Sequence, residues 1–312
     1  MDDFKLTNQL LSKISKKLKQ KISSTERFKS GRANSIFLIK TNKKEYVLKI
    51  YTPKKSERYK NDLAVFRLFS KEKMIPNVIT KGEHQNIKYL IMTKIPGNNL
   101  WESDLSEIPK KDLSKIFFDL GRFVAKLHST KHHKFGKVYN PKYKSWDNYL
   151  KIKTMSMVKK IESKEFQKLK PKITRYLEKN HQTPDLKEGS FIHDDIQPEN
   201  IIIKSNKLVG IVDFDRAFWG DPLFEFPYIE TTFHHIFKKV KFNYVKHFYK
   251  GYFSKRKFNK KDYEKLKDHY ALCSRYIRTM SGFKSLRKVI PKKAAEEIIK
   301  KSTKEVDRIT KE

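Results

Sequence analysis

The sequence predicts an α+β fold of two lobes: a small N-terminal mixed lobe with a five-stranded antiparallel sheet, then a mostly helical C-terminal lobe. Three observations predict it. Residues 26–94 alternate between β-rich runs and one helical stretch. After Gly97 the apolar residues recur mostly at helical spacing. One β-rich island, residues 191–214, interrupts that helical half. Pro96-Gly97 is the sharpest break, so the lobes are placed at 1–96 and 97–312.

The elements follow in order. Phe4, Leu6, Leu10, Leu11, Ile14 and Leu18 have helical spacing, with lysines on the other face, and predict an amphipathic helix over 4–21 packed on the body. Ser35–Ile39 and Tyr46–Tyr51 are β-rich runs joined by a turn at Thr41–Lys44. Residues 55–70 return to helical spacing through Leu63, Phe66, Leu68 and Phe69. Strands at 77–83 and 87–92 follow, and Ile95-Pro96-Gly97-Asn98 stops the second. Residues 109–130 form a strong amphipathic helix through Leu113, Ile116, Phe117, Leu120, Phe123, Val124 and Leu127. Residues 145–180 and 222–308 read as further helices.

Composition narrows the function. The 312 residues carry 71 Lys and Arg against 35 Asp and Glu, a net charge of +36. With 38% hydrophobic and 13% aromatic residues, the chain does not have the composition of a disordered one. A single cysteine, Cys273, excludes an internal disulfide framework and a cysteine-based zinc module, and fits a reducing compartment. No uncharged apolar run approaches the roughly 18–20 residues a membrane span needs. Asp2, Asp3 and the lysines that follow leave no signal-peptide core, so the expected location is the cytoplasm. Lysines are spread through every segment and greatly outnumber arginines, which reads as a solvated surface. Binding to nucleic acid or an anionic surface is the alternative, and the less favoured one.

The chemistry concentrates in Phe191–Asn200 and Ile201–Asp215. Two apolar runs flank Ser205-Asn206, so they should pair as an antiparallel hairpin with residue 200 near 211 and 213 near 198. That pairing gathers Asn200 and Asp213 at one open end, with Asp195 on the loop feeding it. Mg²⁺ takes oxygen ligands from one or two protein groups plus substrate phosphates, a role Asn200 and Asp213 fit. Asp195 fits the group that orients an acceptor hydroxyl and takes its proton.

The string His193-x-Asp195-x4-Asn200, followed by Ile211-Val212-Asp213-Phe214-Asp215-Arg216-Ala217 and Gly220-Asp221-Pro222, resembles the protein-kinase-like small-molecule phosphotransferases. That group includes the aminoglycoside phosphotransferases and the choline, homoserine and fructosamine kinases. The resemblance runs over most of the chain and implies a two-lobed protein-kinase-like fold. Residues 28–35 look like the family's nucleotide-covering turn, which implies contacts from Gly31, Asn34 and Ser35. Lys49 falls where the family's lysine meets the α- and β-phosphates, and Asp62 where a Glu usually pairs with that lysine, with Glu57 as a fallback. Residues 91–97 match the hinge, implying that Met92, Lys94 and Ile95 hold the adenine. Leu120–His128 resembles the family's L-G-x-x-L-A-x-L-H helix.

The resemblance implies an ATP-dependent, or GTP-dependent, Mg²⁺-requiring kinase. Its acceptor would be a small molecule bearing a hydroxyl, an aminoglycoside-like amino sugar or another hydroxylated metabolite. Two departures stand out: Asp194 replaces a usual glycine, and the covering turn keeps one glycine, Gly31. His193 and His128 read as structural, Trp146 and Tyr149 as core. Asp215 is an optional helper. Glu225 and Glu230 either bind a cationic amine or favour a helix N-terminus. From residue 231 onward there are 24 Lys/Arg against 8 Asp/Glu, which leans towards a neutral or anionic acceptor. A protein kinase is disfavoured because H-R-D, D-F-G and A-P-E are missing.

Overall fold

The computed structural model describes residues 6–28, 35–180, 183–237 and 240–311. In chain order its elements begin with α1 (Asn8–Leu18), β1 (Ile22–Arg27), β2 (Ser35–Thr41), β3 (Glu45–Tyr51), α2 (Ser56–Leu68), β4 (Val78–His84), β5 (Ile87–Thr93), β6 (Asn98–Asn99) and α3 (Lys110–His128). There follow β7 (Lys131–His132), β8 (Phe135–Lys137), β9 (Asn140–Tyr143), α4 (Trp146–Lys159), α5 (Lys164–Gln167), α6 (Lys170–Lys179), β10 (Gly189–Ile192), β11 (Ile201–Lys204), β12 (Lys207–Ile211) and β13 (Phe218–Gly220). The chain continues through α7 (Phe226–Thr232), α8 (Tyr244–Phe253), α9 (Lys260–Ala271), α10 (Ile277–Leu286) and α11 (Lys292–Ile309). They group into two units, residues 1–116 with 197–217 and residues 117–196 with 218–312.

The first unit is built on the expected five-stranded antiparallel sheet, in the order β1-β2-β3-β5-β4. Strand alternation sorts its residues between two faces. Phe37, Ile39, Tyr46, Leu48, Ile50, Tyr89 and Ile91 pack on one face against Leu10, Ile14 and Leu18 of α1. Each of these apolar side chains contributes roughly 1.5–3 kcal/mol by leaving water. The other face carries Lys49 and Met92. The first helix is shorter than the spacing predicts: the Thr7 hydroxyl caps its start, accepting from the Leu10 N–H at 3.2 Å. Lys19, in left-handed backbone with φ 53°, closes it.

The hairpin β11–β12 belongs to this unit, and β6 pairs with β11. Ser205 and Asn206, with φ 48° and 56°, form the turn. The Pro96-Gly97 step therefore falls inside the first unit. Gly97 sits at φ 129° with its Cα against the Ile203 carbonyl, where a side chain has no room.

The second unit holds the helices and a second five-stranded sheet, β7-β10-β13-β8-β9, that the sequence did not predict. Its strands are two to four residues long, too short to leave a readable alternation. Trp146 and Tyr149 lie in its core as expected, at 1% and 5% exposure. Gly220 lets the Trp146 ring lie directly on the strand backbone. The Trp146 Nε1–H donates to Tyr270 Oη at 3.0 Å, and that hydroxyl donates to Asp221 Oδ2 at 2.6 Å.

Candidate active site

In the first unit, β3 delivers Lys49 to a buried cluster of carboxylates. Its Nζ lies 2.7 Å from Asp62 Oδ2 on α2, 2.7 Å from Asp213 Oδ1 beyond β12, and 3.8 Å from Asp215 Oδ2. Tyr51, two residues along β3 and hence on the same face, donates to Asp62 Oδ2 at 2.6 Å. Arg58 reaches Asp215 Oδ2 at 3.1 Å. Asn61, the neighbour of Asp62, donates to the Ala217 carbonyl at 2.8 Å and to that of Asp215 at 3.2 Å. One helix thus supplies both the lysine's partner and the anchor of the 213–217 segment.

Burial alone would lower the Lys49 pKa, but Asp213, Asp62 and Asp215 outweigh it and raise it. Burial pushes the Asp62 carboxyl up to about 6, with Asp215 and Asp213 adding and Lys49 opposing. Asp213 is the accessible carboxylate of the three, at 25% exposure against 0% for Asp62 and 1% for Asp215.

The hairpin register differs by one residue from the expected pairing. An irregularity between Ile202 and Ile203 sets Ile201 opposite Ile211, so Asn200 meets Val212. The Val212 N–H donates to the Asn200 carbonyl at 3.0 Å, bringing Asn200 beside the residue that precedes Asp213. Asp213 has φ 66°, left-handed backbone that aspartate tolerates better than most residues. Oxygen atoms of Asp62, Asp213 and Asp215 lie within 4.8 Å of one another. Asp62 Oδ1 is buried with no hydrogen-bond partner. Three carboxylates around two cations make a hard-oxygen donor set, and it fits Mg²⁺.

The other residues expected on the nucleotide side are not all drawn to Lys49. Met92 shares its face of the sheet, because Lys49 pairs with Leu90 and Val47 with Met92. Ser35 pairs with Ile50 and therefore faces the opposite side. Lys94 extends to Glu45 Oε2 at 2.6 Å near the surface, and Ile95 packs over Gly210. Gly31 and Asn34 lie outside the described residues. Glu57, the fallback partner, stands in the first turn of α2, while Asp62 holds the lysine.

Asp195 belongs to the second unit, on the loop after β10. Asp194 before it has φ 63°, which accounts for the glycine usual at this position in the family it resembles. The Asp194 N–H donates to Glu225 Oε1 at 2.7 Å. Glu225 Oε2 meets His128 Nε2 at 2.9 Å, and His128 Nδ1 meets Tyr252 Oη at 3.0 Å. Burial lowers the His128 pKa, with the Glu225 bond opposing. Glu225 is thus committed to the loop and to His128. Glu230 accepts from Tyr249 Oη at 2.7 Å and Tyr263 Oη at 3.0 Å, and pairs with Lys267 at 3.1 Å. Arg278 on α10 pairs with Asp195 Oδ1 through Nη2. Lys153 on α4 lies 3.2 Å from Asp194 Oδ2.

Sequence reasoning missed Tyr51, Arg58, Asn61, Lys153 and Arg278. Tyr51 was recoverable from its alternation with Lys49. Arg278 and Lys153 stand on helices with no motif around them, so nothing in the sequence marks them.

The profile of the APH family, described as "Phosphotransferase enzyme family", matches residues 24–257. No curated relative matches by sequence. A fructosamine-3-kinase candidate from Haemophilus somnus 129PT has a similar structure, with a TM-score of 0.69, 16% identity and 96% of each chain covered. A thermostable aminoglycoside phosphotransferase APH(4)-Ia variant, bound to ADP and hygromycin B, has a TM-score of 0.64 at 15% identity, over 97% of this chain and 98% of that one. The gentamicin complex of APH(2")-IIa has a TM-score of 0.63 at 17% identity, over 97% and 96%. At these identities the likenesses show the fold.

Proposed function

The chain belongs to the APH phosphotransferase enzyme family, and from that premise we propose that it is an ATP- and Mg²⁺-dependent kinase of a small hydroxylated molecule. The observation that carries the proposal is the Lys49 cluster, where one buried lysine meets Asp62 and Asp213 at 2.7 Å each. A lysine so placed can hold the α- and β-phosphates while Asp62 keeps its ammonium in position. Asp213 and Asn200 would hold Mg²⁺. When bound, the ion supplies the positive charge that offsets charge on the transferring phosphoryl group. Asp195 orients the acceptor hydroxyl and accepts its proton as the γ-phosphoryl passes in line to the oxygen. Met92, Lys94 and Ile95 would bind the adenine through their strand-end backbone, and Gly31 and Asn34 would cover the phosphates, a role that Ser35, on the opposite face from Lys49, does not share.

The acceptor is an aminoglycoside-like amino sugar or another hydroxylated metabolite. The structural neighbours bind hygromycin B and gentamicin. Glu225 and Glu230 are both engaged inside the second unit, which favours an acceptor that needs neither as a counter-charge.

The test is ADP release from ATP, or GDP release from GTP, with Mg²⁺ and a panel of aminoglycosides, amino alcohols, sugars, nucleosides and short RNA. Turnover on one acceptor class, lost in Asp195→Asn, is the expected result. No release with any acceptor, together with salt-sensitive RNA retention, would replace the kinase with a nucleic-acid-binding protein.

A further inference from the structure

Resting on the reading of Asp195 as the catalytic carboxylate, we propose that Arg278 is its positioning residue. In this account Asp194 and Lys153 complete a four-member charge chain that sets the catalytic loop. The Arg278 guanidinium bonds two consecutive residues at once: Nη1 donates to the Asp194 carbonyl at 2.5 Å, and Nη2 donates to Asp195 Oδ1. A planar fork that grips a main-chain oxygen and the next side chain fixes the peptide and the carboxylate together. Both partners are largely out of water, with side-chain exposures of 16% and 8%. A carboxylate that buried needs a fixed counter-charge, and leaving it alone is strongly destabilising.

Asp194 explains why this chain needs the device. Its φ of 63° suits glycine, and aspartate holds it at a cost of about 1–2 kcal/mol. Three contacts offset that cost, one from each polar part of the residue. The N–H donates to Glu225, the carbonyl accepts from Arg278, and the carboxylate pairs with Lys153 at 3.2 Å. Both cations are themselves held in place. Lys153 Nζ lies 4.7 Å and 4.8 Å from the Phe218 and Phe224 ring centres, and Arg278 stacks 4.5 Å over Tyr228. The order Lys153–Asp194–Arg278–Asp195 alternates in sign, and α4 and α10 converge on the loop through it.

The experiment compares the full-length wild type with Arg278→Met and Arg278→Lys by hydrogen–deuterium exchange of a peptide covering residues 192–197. Steady-state ADP release with ATP and Mg²⁺ is measured alongside. The expected result is exchange about 10-fold faster in Arg278→Met and about 3-fold faster in Arg278→Lys, with other segments unchanged. kcat falls about 100-fold in Arg278→Met with nucleotide affinity kept. Wild-type-like exchange in both variants overturns the proposal. So does a raised acceptor KM with kcat retained, which would make Arg278 an acceptor-binding group. If Arg278→Met does not fold, Arg278→Lys decides alone. If the wild type releases no ADP with any acceptor, the kinase reading fails, while the exchange result still decides whether Arg278 sets the loop.

Discussion

Around Lys49 three carboxylates share two cations, and the most exposed carboxylate, Asp213, belongs to a hairpin end. Around Arg278 two carboxylates share two cations, and all four groups are largely buried. The first cluster keeps a surplus of negative charge and an accessible oxygen, the condition under which a divalent ion adds stability. The second matches each carboxylate of its ion-pair chain with a cation, so those pairs hold a loop in place. Under the proposed function the two clusters would have different tasks: one would take up metal and phosphate, the other would keep one carboxylate where a hydroxyl can meet it.

The largest effect that would break this contrast is catalytic. Asp195→Asn should lower turnover about 10³-fold while leaving nucleotide affinity within about twofold, because the change touches the second cluster alone. Coupled ADP-release kinetics and a nucleotide titration read the two quantities separately. Equal losses in both would erase the division of labour.

Removing the shared cation comes next. Lys49→Met leaves Asp62 and Asp213 without their buried partner and should destabilise the fold by about 3–5 kcal/mol, read by urea unfolding. Adding Asp62→Asn should recover part of that loss, since one of the abandoned charges is then gone.

His269 and Asp62 should contribute to the pH dependence of stability with opposite signs. His269, on α9, is held down to about 4 by burial. Below 6.5 the unfolded chain takes up a proton that the folded chain refuses. The stability from this group is therefore full above pH 6.5 and lost as pH falls towards 4, by at most about 3 kcal/mol. Asp62 is pushed up to about 6, from 3.8. Its folded form keeps a proton that the unfolded chain has released, so its contribution falls as pH rises from about 4 to 6. Unfolding titrations between pH 4 and 7 should lose the rising component in His269→Gln and the falling one in Asp62→Asn.

The smallest expected effect concerns Lys94, just past the end of β5. The Lys94 side chain is spent on Glu45 near the surface, so Lys94→Ala should leave nucleotide affinity within about twofold. A tenfold loss would show that this side chain, and not the strand-end backbone, faces the nucleotide.

The legible parts of the molecule share a physical cause. β2, β3 and β5 are seven residues each and rich in β-forming apolar residues, so the strands themselves were legible, while the burial of Lys49 beside Tyr51 was not. The hairpin was legible from Ser205-Asn206, but its irregularity at Ile202/Ile203 was not, and that shifted Asn200 by one partner. β7, β8 and β13 are too short for any periodicity to show, so a whole sheet went unread. Arg278 lies 83 residues from Asp195, and its role comes entirely from tertiary packing. Asp194, a charged residue where a glycine is usual, is held there by Glu225, Arg278 and Lys153, none of which the sequence connects to it.

Uptake of a metal–nucleotide complex by the negatively charged cluster around Lys49 is read by calorimetric titration of ADP with and without Mg²⁺. Mg²⁺ should tighten binding at least about 10-fold in the wild type and have no effect in Asp213→Ala. Equal affinity with and without the ion in the wild type, or an undiminished Mg²⁺ effect in Asp213→Ala, would contradict it.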